Sequence, residues 1–370
     1  MRHSLPEVSG SGFRPRMSAS DPERARWTAS LCLIIAGCSV QGAGGRKLWN
    51  SASSGSVEYL RMSRILISGA SGLIGRALIP ALEKRGDQIY RLVRREPRNQ
   101  REIGWNPIEA VPPPLVSGFD TVIHLSGESV AGRWTRNKKK SIRDSRVMTS
   151  RNLATALAQA EKPPQAFLCA SAIGYYGNRG DEILTEESPP GRGFLAGVSL
   201  EWEQATHPAL QAGIRVVNLR IGIVLSQAGG ALRQMLLPFR FGLGGRIGDG
   251  QQWFAWIHVE DLAAAVVHIL DPAKAIVEGL PSSPGEIRGP VNMVSPSPVM
   301  NAELTRTLAH LLNRPAPFPV PAFMLRLAFG EFADEGLLSS ARVVPKTLAS
   351  AGFKFKYPQL EAALAQLLRE

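Results

Sequence analysis

Cysteine is scarce: Cys32, Cys38 and Cys169 are the only three in 370 residues, with no CxxC pair and no histidine spacing beside them. Neither a disulfide framework nor a zinc site is available to organise the chain, and a reducing, cytoplasmic setting fits best. No stretch reaches the roughly 18 apolar residues of a membrane span. Acidic residues are in the minority, 31 Asp+Glu against 43 Lys+Arg for a net charge of +12. The surplus lacks the interleaved aromatics and spread basic face of a nucleic-acid binder, so neither nucleic acid nor membrane is expected as a partner. Internal repeats are missing too. What is present, 44% hydrophobic and 20% charged residues, is an ordinary globular composition with room for one large core or two modest ones.

The positive charge is local. Arg91 to Arg101 holds five arginines against Glu96, and Arg133 to Arg146 holds seven Lys+Arg against Asp144. Two such patches suit a phosphorylated small ligand, and a solvated helix face is the other reading of the second. Residues 1–61 are rich in Gly, Ser and Arg, a composition that predicts disorder. Within them Ile35-Ala36-Gly37-Cys38 resembles a lipoprotein cleavage box, which would anchor the chain through Cys38. A simpler reading takes Met62 as the natural start, because Met62-Ser63-Arg64 directly precedes the first strand pattern.

That pattern is ILISGASGLIG, residues 65–75. Ile65 to Ser68 reads as a buried strand. Gly69-Ala70-Ser71-Gly72-Leu73-Ile74-Gly75 reads as a turn, followed by an apolar helical face ending at Gly86. Gly69 permits the tight turn, Gly72 lets backbone approach a diphosphate, and Gly75 lets helix and strand pack closely. The helix N-terminus adds free N–H donors. Ser71, Leu73 and Ile74 belong to the same cofactor-binding turn. Pro80 removes the donor to the Arg76 carbonyl and predicts a kink. The second strand, Gln88 to Val93, ends on Arg94 and Arg95, where a site selective for NAD would place Asp or Glu on the ribose hydroxyls. Guanidinium groups match a 2′-phosphate in charge and forked geometry, so NADP(H) is favoured over NAD(H). Strands over Asp120 to Gly127, Phe167 to Ser171 and Val216 to Val224 complete a doubly wound α/β pattern.

ISGASGLIG, FDTVIHLSGESV, RWTRNKKKSIRDSRV, SAIGYYG, LRIGIVLSQAGGAL, WIHVEDL and GFKFKYPQLEAAL, in that order from Met62 onward, resemble the atypical extended short-chain dehydrogenase/reductases known as epimerase-family or nucleoside-diphosphate-sugar epimerase-like proteins. The resemblance implies a doubly wound parallel-sheet Rossmann fold binding NADP(H), with interwoven substrate-side elements over 62–290 and a small, mainly helical substrate-side domain over 291–370. It implies a cytoplasmic location; a small-molecule substrate, nucleotide-linked compounds included, and a monomer or homodimer are expected. By the same similarity Gly69, Gly72, Gly75 and Arg94 touch the cofactor, and Leu125, Ser126 and Gly127 border it.

Extended enzymes of this kind place a tyrosine and a lysine four residues apart on one helix, the lysine holding the nicotinamide ribose and lowering the tyrosine pKa for proton transfer. Here Phe194 and Val198 stand at those places, and neither exchanges a proton. Substitutes are Tyr175 or Tyr176 as proton donor, Ser171 to orient a carbonyl, and Lys139 or Arg146 as positive charge for a phosphate. For both tyrosines, wall packing with a satisfied hydroxyl is the competing reading. Arg220, inside a strand pattern, needs a charged partner or ligand. His124 reads as a hydrogen-bonded core histidine, and His258 with Asp261 as a structural pair. No metal is expected.

Overall fold

The computed structural model describes residues 62–270 and 286–369, so the readings made for residues 1–61 lie outside the described part. All described residues belong to one unit, Tyr59–Glu370. In chain order the elements that position the site are β1 (Arg64–Ser68), α1 (Leu73–Arg85), β2 (Gln88–Val93), β3 (Glu102–Gly104), β4 (Thr121–His124), α2 (Arg136–Ala158), β5 (Ala166–Ala172), β6 (Ile183–Leu184), α3 (Phe194–Gln204), α4 (His207–Gln211) and β7 (Arg215–Ile221). They are followed by β8 (Ile223–Leu225), α5 (Gly230–Arg240), β9 (Trp253–Phe254), β10 (Trp256–His258), α6 (Val259–Leu270), β11 (Gly289–Met293), β12 (Val299–Met300), α7 (Asn301–Leu311) and α8 (Ala322–Phe329).

Seven strands form one parallel sheet in the order β11-β7-β5-β4-β1-β2-β3. Its strands are buried on both faces because helices cover both, which is why Ile65, Leu66 and Ile67 are all apolar and fully buried. Period-two alternation sorts them. Ile65 and Ile67 join Leu78, Leu82, Leu262 and Val266 of α1 and α6, whereas Leu66 joins Leu153 and Leu157 of α2 and Trp202 of α3. Chain order reverses between β1 and β4, and a doubly wound sheet opens its ligand crevice at that reversal.

One expectation changes. The expected strand over Val216 to Val224 divides at Gly222, where a Cβ would stand 2.7 Å from Val294 Cγ1 and 2.8 Å from the Ala255 carbonyl oxygen. The close approach lets β8 leave the main sheet and pair with β10. Pro290 pairs with Asn218 in the β11–β7 register, so residues 289–293 form the edge strand of the sheet. Helix α1 includes Pro80, which is exposed, and ends at its left-handed Gly86 cap at φ 96°.

Asp261 and His258 tie the C-terminal segment to the sheet. Asp261 accepts the backbone N–H groups of Lys356 at 2.8 Å and Tyr357 at 2.9 Å, and His258 Nε2 lies 2.9 Å from Gln366 Oε1. His124 is fully buried at the end of β4, with Nδ1 2.5 Å from Ser68 Oγ and Nε2 3.1 Å from Thr149 Oγ1. Burial lowers its pKa from the ordinary 6.5 to about 4. Between those two values the unfolded chain binds the extra proton, so stability is present above pH 6.5 and is lost as pH falls toward 4, by about 3 kcal/mol from this residue. Urea unfolding of His124→Gln should show a flatter decline over that interval than the parent; identical slopes would contradict the assignment.

Candidate functional site

At the reversal point lies a cleft of about 1150 Å³, bordered by the β1–α1 turn, the ends of β2 and β4, and α2. Gly69 has φ +73°, and a Cβ there would sit 2.7 Å from the Leu125 carbonyl carbon. At Gly75 a Cβ would meet the Gly69 carbonyl oxygen at 2.6 Å. These two glycines therefore bring β1, α1 and the β4 loop together, and Gly72 presents bare backbone to the cleft. Gly72 caps α1 without a side-chain hydrogen bond, and no acidic residue occupies the first turn. The first-turn N–H groups, which have no acceptor within the helix, are left for an anion. A diphosphate fits this cradle. Ser71, Ser126, Leu125 and Gly127 line it. Leu73 and Ile74 offer only backbone, since the Leu73 side chain meets Gly230 and Ile74 packs on the core.

Of the two arginines expected at the end of β2, one is available. Arg94 is exposed, lines the cleft, and has no hydrogen bond or ion pair with any described residue. Arg95 lines it too, but its guanidinium is held by Glu102 at 2.8 and 2.7 Å. Hydrogen bonds from Arg95 and then from the Arg98 N–H hold the Glu102 carboxyl well below the usual carboxylate range. Arg76, Trp105 and Thr149 also face the cleft without having been singled out in the sequence. Arg76 follows the last glycine of the motif by one residue and was legible there; Trp105 follows the three-residue β3, too short a pattern to read.

Ser171, Tyr175, Tyr176 and Arg220 gather elsewhere, at the ends of β5 and β7, and do not line that cleft. The missing member is Glu203. Its carboxylate accepts Ser171 Oγ–H at 2.7 Å and Arg220 Nε–H and Nη2–H at 2.8 and 2.9 Å. The sequence demanded a partner for Arg220 and did not say which; as Glu203 fills that need, Arg220 has no charge left over for a substrate phosphate. Tyr176 is fully buried, directs its hydroxyl to Asn292 Oδ1 at 2.7 Å and the Thr185 carbonyl at 3.0 Å, and receives Arg220 Nη1–H at 3.0 Å. Burial pushes its pKa up to about 12 against the pull of Arg220. Tyr175 differs: its ring lies under the Arg220 guanidinium at 3.6 Å, and its hydroxyl bonds to no described residue.

Helix α3 carries Phe194 and Val198. Its N-terminus is capped by Glu335, which accepts the N–H groups of Phe194 and Leu195 at 2.9 and 2.8 Å. Gly193, at φ +112°, makes room, since a Cβ would be 2.9 Å from Glu335 Oε2. Lys139 Nζ stands 5.0 Å from the Phe194 ring and is paired with Glu331. Arg146 stands 5.1 Å from the Trp202 ring, and burial lowers its pKa to about 10. Among the described residues no cluster of three or more His, Cys, Asp or Glu could hold a metal, and no helix is long and apolar enough to cross a membrane.

Residues 65–280 match the family model described as the NAD dependent epimerase/dehydratase family, and residues 320–367 match a domain of unknown function. An epimerase family protein of Mycobacterium bovis is 42% identical over 302 residues, covering 81% of this chain and 96% of its own. The crystal structure of human epimerase family protein SDR39U1 with NADPH is similar at 31% identity and a TM-score of 0.73, over 83% of this chain and 99% of that one. A nucleoside-diphosphate sugar epimerase structure from Corynebacterium glutamicum gives 36% identity and a TM-score of 0.66, over 84% of this chain and 59% of that one. With the glycine cradle, the parallel sheet and these matches in agreement, the chain belongs to the NAD dependent epimerase/dehydratase family.

Proposed function

We propose that the cleft binds NADP(H) and that the chain is an oxidoreductase or nucleotide-sugar epimerase-like enzyme working without the Tyr-x-x-x-Lys pair. The observation that carries the cofactor choice is Arg94, an exposed guanidinium at the end of β2 with no hydrogen bond or ion pair to a described residue, beside a carboxylate already neutralised by Arg95. A free guanidinium there binds a 2′-phosphate; a free carboxylate would repel it. The human relative of 31% identity that was crystallised with NADPH supports the same choice.

When bound, the nicotinamide ring supplies or accepts a hydride. This chain's own residues hold the diphosphate on the unpaired N–H groups of α1, with Arg94 on the adenosine side. A proton for the reaction comes from Tyr175, because the hydroxyls of Ser171 and Tyr176 are committed to Glu203 and Asn292 while that of Tyr175 has no described partner. The substrate is a small molecule, with nucleotide-linked compounds in range, and the protein works in the cytoplasm as a monomer or homodimer. A second reading has its own support. Phe194 and Val198 remove the usual acid and its lysine, and Glu335 occupies the start of the same helix, an arrangement suited to a cofactor sensor without turnover.

Removing a charge-assisted phosphate contact should cost about 1.5–3 kcal/mol, so calorimetry on Arg94→Ala should show NADPH binding at least tenfold weaker with NADH affinity within twofold of the parent; equal losses for both would refute the 2′-phosphate role. In NADPH oxidation assays across carbonyl compounds and nucleotide sugars, Tyr175→Phe should abolish turnover and leave NADPH affinity unchanged. An active Tyr175→Phe variant would remove Tyr175 from the mechanism, and tight NADPH binding with no turnover by the parent would favour the sensor.

A further inference from the structure

We propose that the surface formed by the end of α5, the glycine-rich loop after it and the proline-rich stretch leading into α8 docks on an anionic phospholipid bilayer; this stands apart from the cofactor reading. Among the described residues twelve large apolar side chains are exposed, and seven of them fall in two short segments. Leu237, Phe241 and Leu243 belong to one, and Phe318, Phe323, Met324 and Leu327 to the other. Phe241 is 72% exposed and Phe318 68%, so neither ring contributes to the core. Single exposed apolar residues are ordinary, but a concentration of this kind marks a contact surface.

The fold puts the two segments side by side, although they are far apart in sequence. Val320 donates its N–H to the Arg246 carbonyl at 2.8 Å, and the Gly248 N–H returns to the Val320 carbonyl at 2.9 Å. Glycine permits the approach: a Cβ at position 245 would overlap the Phe318 carbonyl oxygen, and one at 242 would meet Pro315 Cγ at 3.7 Å. Phe318 therefore lies against the loop that carries Phe241 and Leu243. On α5, Leu232, Leu236 and Phe239 are buried, so helical spacing turns Arg233, Leu237 and Arg240 to the opposite side, in line with Phe241. In α8 only Leu325 is buried, which leaves Phe323, Met324 and Leu327 outward.

Charge selects the partner. Residues 230–248 hold Arg233, Arg240 and Arg246, residues 304–330 hold Arg306, Arg314 and Arg326, and neither stretch contains Asp or Glu. Arg326 pairs with Asp334; the other five are exposed and form no ion pair or side-chain hydrogen bond with a described residue. Arg306, His310 and Arg314, at four-residue spacing along α7 and just past its end, border a cavity of about 550 Å³ that Pro315 also lines. Because Pro315 is the neighbour of Gly242, that cavity adjoins the apolar patch, and it has room for a lipid phosphate. Apolar side chains entering the headgroup boundary and guanidinium groups held at headgroup level act together on anionic lipid. A second copy fits badly, since a two-fold contact through this face would set five unpaired arginines against five. A peripheral contact needs no spanning helix, and one assembled from two distant segments leaves no run for the sequence to display.

Sedimentation of the full chain with vesicles tests the assignment. Vesicles of equal parts phosphatidylcholine and phosphatidylglycerol should carry the protein down, phosphatidylcholine alone should not, and high salt should release it. The double variants Phe241→Ser with Phe318→Ser and Arg240→Gln with Arg314→Gln should each weaken partitioning by roughly tenfold or more at the parent's melting temperature. Ile183→Ser and Leu210→Ser, exposed apolar positions outside the two segments, should sediment as the parent does. A parent that stays in solution with the mixed vesicles, equal partitioning into both vesicle types, patch variants that sediment like the parent, or an equal loss in the two controls would each overturn the proposal. So would light scattering without vesicles that gives the mass of two copies for the parent and of one for the Phe241→Ser, Phe318→Ser variant, since the face would then belong to a second copy.

Discussion

The structure depends on how closely backbone can approach backbone at the turn between the first strand and the first helix. With a Cβ at position 69 or 75 the turn would run into the Leu125 carbonyl or its own Gly69 oxygen at under 3 Å, and either β1 or the β4 loop would have to move away. The glycines do not bind anything through side chains. They let α1 start close to the sheet, with its first N–H groups unpaired and open to the cleft at the reversal of strand order, where an anion gains both hydrogen bonds and the favourable end of the helix dipole.

From that anchor the charges divide into committed and uncommitted ones, and the division carries the functional argument. Arg95, Lys139 and Arg220 each face a carboxylate, in Glu102, Glu331 and Glu203 respectively. Arg94, which lines the cleft, makes no hydrogen bond or ion pair with a described carboxylate. The Ser171–Glu203–Arg220–Tyr176–Asn292 network is a buried unit in which a missing member would leave a charge or donor unpaired, so it rigidifies the junction of β5, β7 and α3. Tyr175, lying against that unit with a free hydroxyl, is the group it presents.

The C-terminal segment takes part in this arrangement. Glu335 caps α3, Glu331 neutralises Lys139, and the N–H groups of Lys356 and Tyr357 bind Asp261 at the start of α6. The stretch that matches a domain of unknown function therefore caps α3 and pairs with a lysine of α2. Its acidic residues reach positions more than a hundred residues earlier in the chain.

Much of the fold was legible because its causes are local. The run Ile65 to Ser68, the 3-and-3 glycine spacing, the helix ending at Gly86 and the strand Gln88 to Val93 ending on arginines can all be read from a few adjacent residues, and each lies where the pattern put it. The break at Gly222 and the entry of β11 into the sheet could not be read, since each answers to residues brought alongside by the fold, Val294 and Ala255 in one case and β7 in the other. The same holds for the charges. Sequence alone determined that Arg94 and Arg95 follow directly on the second strand, and that Arg220 had to find a charged partner or ligand. Only the tertiary structure decided that Arg95 is taken by Glu102, Arg220 by Glu203 and Lys139 by Glu331, because pairing depends on distances of a few ångströms between side chains that sequence separation does not encode.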